Sequence, residues 1–259
     1  MIAPASFHRN IPVTDLFNLP QQQEALARLK YVISSKGFGV FTGSPGTGKS
    51  SMVRFLESSL DKARYLFCYI NDADLKPKCL YSRLLNSLSV QPSGFVDRMK
   101  KQFREAITNL NDTQGRFMVV VIDNAQDLPD QTIRELRYTL NFDMDSKCLL
   151  SLILVGQPEL WDTLRLRRFE PVYQCITAHY RLPALDETQS HEYIRHQMGL
   201  SKTNMVFPEN VVKRIYQFTH GIPRIINNIC RHCLIDLESN GMELVDDTVL
   251  DRVLGEFQV

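Results

Sequence analysis

A chain of 259 residues with 44% hydrophobic and 23% charged side chains can bury one large core plus a smaller companion, and its composition excludes a disordered or fibrous architecture. A formal net charge of +1 excludes nucleic-acid binding through overall charge, so any such contact must come from a local basic patch. The longest apolar runs, 117–122 and 149–155 with Ser151 interrupting the second, fall far short of the roughly 18 to 20 residues that cross a bilayer, and the start lacks a basic-then-apolar secretory pattern. A cytoplasmic protein without membrane contact is therefore expected.

In chain order, residues 20–35 read as a helix, with Ala25, Leu26, Leu29, Val32 and Ile33 at helical spacing. Residues 37–42 read as a short buried strand that ends at Gly43, and a glycine-rich turn leads into a helix from Ser51. A second strand is expected at 64–70 and a helix at 80–88 after Pro77. The next segment places Val96, Met99, Phe103, Ile107 and Leu110 on one helical face and Arg98, Lys100, Lys101 and Arg104 on the other.

Residues 118–123 form the clearest strand, a run rich in β-branched residues that ends in an acid, as a central parallel strand does. A helix at 131–141, a strand at 149–155, a short helix at 159–164 and a strand at 176–181 complete the alternation. Strands alternating with helices imply an α/β fold with a parallel sheet covered on both faces. Beyond 183–185 only helices are expected, at about 186–198, 208–219, 223–238 and 246–257. The domain reading is therefore an α/β core with its preceding helix over 1–184 and a small all-α domain over 185–259.

The cysteines, Cys68, Cys79, Cys148, Cys175, Cys230 and Cys233, are scattered, as reduced thiols of a cytosolic protein are. Cys230 and Cys233 form a C-x-x-C pair, but no second pair of ligands stands at similar spacing, so two helical thiols are expected there in place of a zinc site.

Gly43, Ser44, Pro45, Gly46, Thr47, Gly48, Lys49 and Ser50 fit G-x-x-x-x-G-K-[ST] in full, between an expected strand and an expected helix. Such glycines let the backbone curl so that successive N–H groups face phosphate oxygens, and the following helix, from Ser51, adds its positive end. Lys49 would reach the β and γ phosphates of ATP, and the Ser50 hydroxyl would ligate Mg²⁺. Asp123, at the end of its strand, would hold the same ion through its water shell.

Three further segments carry a resemblance. The stretch from Ala25 to Tyr31, Gly156-Gln157-Pro158-Glu159-Leu160, and Gly221-Ile222-Pro223-Arg224 followed by Ile-Ile-Asn-Asn together resemble the ExeA-type AAA+ ATPases over about residues 14–257. That group includes ATPases of transposons, relatives of TnsC, TniB and MuB, beside ATPases that serve secretion. The resemblance implies an AAA+ core with a helical lid, and Mg-ATP held between them. It implies that Gln157 is a sensor 1 residue orienting water or contacting the γ-phosphate, and that Arg224 is a sensor 2 residue.

Two departures stand out. Where the family places a water-polarising Glu after the metal-binding Asp, this chain has Asn124, which cannot accept a proton. Where the family carries an arginine finger, it has Cys175, and Arg165, Arg167, Arg168 or Arg181 could substitute. A lost finger costs about a thousandfold or more in phosphoryl transfer, so binding is expected to outlast hydrolysis.

By the same resemblance a ring or helical filament of identical subunits is expected on double-stranded DNA, recruiting a transposase and possibly working with a target-selection protein. Lys76, Lys78, Arg98, Lys100 and Lys101 are the candidate phosphate contacts; the alternative for each is a solvated charged face. A secretion or envelope-assembly ATPase and a replication-loader relative are the other readings. Secretion relatives carry a membrane segment and a wall-binding region after the lid, and the end at Val259 favours the first reading.

Overall fold

In the computed structural model, residues 7, 11–17, 19–72, 74–140, 147–201 and 207–257 are described. They fall into two compact units, one of 21–43 and 52–182 and the other of 1–20, 44–51 and 183–259.

The first unit is a five-stranded parallel sheet with helices on both faces. Apart from Pro20 and the first turn of α2, which belong to the second unit, its elements run α1 (Pro20–Ser34), β1 (Phe38–Gly43), α2 (Lys49–Ser59), β2 (Tyr65–Ile70), α3 (Pro77–Ser87), α4 (Val96–Asp112), β3 (Phe117–Ile122), α5 (Asp130–Leu140), β4 (Leu150–Gly156), α6 (Pro158–Leu164), α7 (Glu170–Tyr173) and β5 (Ile176–Leu182). The strand order β2-β3-β4-β1-β5 puts β3, β4 and β1 inside. All three are fully buried, which is why they read as near-continuous apolar runs.

Alternation along the strands sorts their side chains to the two faces. Met118, Val120 and Ile122 of β3 join Leu150, Leu152 and Leu154 of β4 under α3, α4 and α5. Val119, Val121, Ile153 and Val155 point the other way and pack with Ala25, Leu29, Val32 and Ile33 of α1 and with Met52, Val53 and Leu56 of α2. Ser151 lies on this second face, fully buried, and its hydroxyl lies 3.3 Å from the carbonyls of Val32 and Ile33. The one polar break in that strand thus ties it to carbonyls at the end of α1 that also accept the backbone N–H groups of Gly37 and Lys36.

Among the described residues every expected strand and helix is present with the expected type, and most differences are at boundaries. Helix α2 opens at Lys49 instead of Ser51, and α3 at Pro77 instead of Leu80, since proline is well placed in a first turn. Asn141, the expected last residue of α5, lies outside the described residues. The four-residue α7 has no sequence signal long enough to show periodicity.

The second unit contains α8 (Glu187–Ser201), α9 (Glu209–Thr219), α10 (Pro223–Asn240) and α11 (Asp247–Phe257) around one apolar core. Ile215, Ile226, Ile229, Leu237 and Leu250 are fully buried in it. Phe7 and Leu19, from the stretch before α1, pack into this same core. Cys230 and Cys233 are buried there too; burial pushes the Cys230 thiol up, and it lifts Cys233 to about 12, so both stay protonated. Among the described residues, no group of three or more His, Cys, Asp or Glu is placed to hold a metal ion, and no helix is long and apolar enough to cross a membrane.

The turn between α9 and α10 is tightly specified. His220 and Gly221 both take positive φ, at 48° and 70°. The Gly221 carbonyl accepts the Leu185 N–H at 2.9 Å, and a Cβ on Gly221 would collide with the Leu185 carbonyl oxygen. Gly241, at φ 62°, has open space around it. Gly221→Ala should therefore lose more than about 2 kcal/mol in urea unfolding, whereas Gly241→Ala should lose only about 1 kcal/mol, the backbone cost alone. Equal losses at the two positions would mean that the Leu185 contact does not constrain the turn.

Candidate functional site: a phosphate loop and a polar strand edge

The chain leaves β1 at Gly43 and turns back into α2 within five residues, which ordinary residues cannot do. Gly46 and Gly48 supply the turn with φ of 84° and 102°. The Thr47 hydroxyl donates to the Ser44 carbonyl at 2.9 Å, and Lys49 Nζ donates to the same oxygen at 3.0 Å. Because α2 begins at Lys49, both Lys49 and Ser50 stand in its first turn, where backbone N–H groups have no helical partner and the dipole is positive. Thr47 is buried, Lys49 half-buried, Ser50 and Pro45 exposed, and Ser51 half-buried.

A second helix start meets this loop. The Arg224 N–H donates to the Gly46 carbonyl at 3.2 Å. A Cβ on Gly46 would lie 2.8 Å from the Arg224 Cβ and 3.0 Å from the Ile222 Cγ2, so this glycine is required for approach as well as for its φ. Arg224 is exposed, in the first turn of α10. A cation there opposes the helix dipole, an arrangement that an anion on the loop would relieve. The ammonium of Lys49, the hydroxyl of Ser50 and the first-turn amides of α2, with Arg224 entering α10 beside Gly46, are residue types that suit a polyphosphate.

The carboxyl ends of β3 and β4 form a separate polar group in the sheet unit. Asp123, following β3, is only 4% exposed. Its Oδ2 accepts the Tyr69 hydroxyl at 2.7 Å, and its Oδ1 accepts the Asn124 N–H at 2.8 Å. Partial burial and the neighbouring carboxylate push the Tyr69 hydroxyl well above its usual range, so it remains a donor. Asn124 takes a left-handed conformation with φ 54°, which suits Asn better than most residues, and its amide donates to Asn71 Oδ1 at 2.8 Å.

Gln157 precedes α6, half-buried, and its N–H donates to Gln126 Oε1 at 3.1 Å. Gln126 thus ties the turn after β3 to the turn after β4, a role that no sequence pattern announced. Nearby, Thr42 Oγ1 and His179 Nε2 are 2.8 Å apart, and His179 stacks on Trp161 at 3.8 Å. Burial, with Arg181 alongside, lowers the His179 pKa, keeping the ring neutral near pH 7.

Cys175 is exposed in the turn before β5, its thiol donating to the Pro171 carbonyl at 3.2 Å. Arg165, Arg167 and Arg181 are exposed, while Arg168 pairs with Asp130 at 3.0 Å. The basic candidates divide likewise. Lys76 is exposed beside Asp74 at 3.3 Å, Lys78 is exposed on α3, and Lys101 is exposed with Glu105 at 3.9 Å. Lys100 departs from the expectation of an exposed basic face. It is half-buried and pairs at 2.7 Å with Glu135, which also accepts the Tyr81 hydroxyl, so its charge fastens α4 to α5 and α3.

Sequence reading missed Phe95, which is 70% exposed in the loop before α4 with the Arg98 guanidinium 5.7 Å from its ring. Gln102 fixes that loop, accepting the Ser93 N–H at 3.0 Å and donating to the Gln91 carbonyl at 3.2 Å. An apolar residue directly after a Ser-Gly turn was the available signal.

A family model described as an AAA domain matches residues 31–164. General secretion pathway protein A of Aeromonas hydrophila is 30% identical over 230 residues, covering 87% of this chain and 42% of that protein, so the chain spans about two-fifths of the length of this curated relative. Among solved structures, Cdc6p of Pyrobaculum aerophilum superposes with a TM-score of 0.74 at 16% identity, over 96% of this chain and 70% of that one. Drosophila ORC bound to DNA gives 0.75 at 16% identity, over 98% and 64%. RuvB of Thermotoga maritima gives 0.63 at 14% identity, over 96% and 72%. At such identities these structures establish the shared fold alone. A parallel sheet with a phosphate-type loop after its first strand, together with the match across more than half of the chain, makes the protein a member of the AAA domain family.

Proposed function

We propose that the chain is an ATP-dependent assembly switch of the ExeA-type AAA+ class, binding nucleotide strongly and hydrolysing it slowly. The observation that carries this reading is the turn at Gly46 and Gly48, which delivers Lys49 and Ser50 into the first turn of α2 and lies against Arg224. Residues 43–51 hold the triphosphate, with Lys49 on the β and γ phosphates and Arg224 adding charge at the γ-phosphate. The hydroxyl of Ser50 and the carboxylate of Asp123 are hard oxygen donors suited to magnesium. The ion, when bound, neutralises phosphate charge. Gln157 orients water or contacts the γ-phosphate. The α/β part of 1–184 is the nucleotide core and 185–259 the lid.

Slow turnover follows from Asn124, which carries no carboxylate, and from the uncharged Cys175. Steady-state turnover at saturating Mg-ATP should fall below about one per second, against roughly ten for a typical enzyme. Asn124→Glu should raise it at least tenfold while costing about 1 kcal/mol of stability, because the left-handed backbone no longer carries an Asn. Rapid turnover in the native protein would contradict slow hydrolysis.

Nucleotide at a subunit boundary adds contacts that exist only in the assembled state, so ATP drives a ring or filament. The oligomer binds duplex DNA and recruits a transposase, together with a target-selection protein. Exposed Lys76, Lys78, Arg98 and Lys101 support the DNA reading, as does Phe95 with its flanking cation. The transposon role rests on the resemblance to the ExeA-type group, which includes ATPases of transposons beside those that serve secretion. A secretion ATPase is the second reading, favoured by the identity to the Aeromonas hydrophila protein. The two separate on binding to random duplex DNA with a non-hydrolysable ATP analogue. Transposition predicts nucleotide-dependent binding with a steep salt slope, weakened severalfold by Arg98→Ala and Phe95→Ala. No binding at low salt would shift the assignment to secretion.

A further inference from the structure

Tyr69 is an exposed aromatic with a single evident purpose. It sits on β2, an edge strand bonded only to β3, and 46% of it is exposed, so its ring gains little from burial. In register, Tyr69 lies opposite Val121, and Asp123 follows two residues later on the face that Val119 and Val121 share. That diagonal offset is within reach of a long side chain. The tyrosine hydroxyl closes it, 2.7 Å from Asp123 Oδ2, while the Asn124 N–H holds Oδ1 at 2.8 Å. One donor from the neighbouring strand and one from the following backbone fix both the direction and the rotation of the carboxylate.

We infer that Tyr69 is a positioning residue that sets the Asp123 carboxylate for the divalent cation of the bound nucleotide. This inference rests on the reading of Asp123 as a magnesium-holding group. A group that orients a metal-binding carboxylate typically changes metal affinity by 10–100-fold when it is removed. The ring of Tyr69 does not touch the cation; only its hydroxyl acts, and it acts through Asp123.

The test is a titration of a fluorescent ATP analogue into the full chain, first in EDTA and then across a magnesium series, for the native protein, Tyr69→Phe and Asp123→Asn. Phenylalanine keeps the ring and removes the one hydrogen bond. Tyr69→Phe should raise the half-saturating magnesium concentration about tenfold, leave the affinity in EDTA within about twofold, and leave the urea midpoint unchanged. Asp123→Asn should raise the magnesium requirement further. If Asp123→Asn raises it and Tyr69→Phe does not, the positioning role is overturned while the nucleotide site stands. If Tyr69→Phe weakens binding equally in EDTA and with magnesium, or lowers the urea midpoint, the tyrosine is structural and the inference fails. If neither variant alters the magnesium requirement while nucleotide still binds, the reading of Asp123 itself is wrong.

Discussion

Positive φ at Gly46 and Gly48 is the constraint on which the phosphate site depends. A buried strand must end and a helix must begin within five residues, and the first helical residues must be those that carry the ammonium and hydroxyl. An L side chain at Gly46 would pay twice, once in backbone strain and once against the side chains of Ile222 and Arg224. The loop is therefore shaped by the start of α10 as well as by its own residues. The same economy recurs at Gly221, where a left-handed turn and a carbonyl in van der Waals range leave room for hydrogen alone.

The strand edge in the sheet unit works by a different device. Its side chains are held by hydrogen bonds between neighbouring turns instead of by sterics: Tyr69 to Asp123, Asn124 to Asn71, and Gln126 to the Gln157 backbone. The departures from the family pattern are built into the structure too. Asn124 suits the left-handed backbone it occupies, and the Cys175 thiol is spent on a local carbonyl. Neither residue carries a charge, which is the feature on which the proposal of slow hydrolysis rests.

Much of this was legible from residue order. Periodicity located the strands because buried parallel strands are apolar on both faces, and it located the helices of the second unit because each shows one apolar stripe. The phosphate loop was legible because its chemistry is local. Contacts over long sequence separation were not. Tyr69 and Asp123 are 54 residues apart, and an aromatic at a strand end carries no mark of the carboxylate it meets. Lys100 read as surface because its helical face is polar, yet Glu135 of another helix turns that charge inward. Phe7 and Leu19 fall within 1–184, read as the core and its preceding helix, yet they pack into the apolar core of the helices that begin more than 160 residues later.

The account stands or falls on whether the loop at Lys49 and Ser50 takes up nucleotide. Calorimetric titration of Mg-ATP into the folded protein measures this directly, with Lys49→Ala as the comparison. One site per chain, with affinity lost in the variant while its circular dichroism is unchanged, is the predicted result. No heat of binding from well-folded native protein, or undiminished binding in Lys49→Ala, would contradict it.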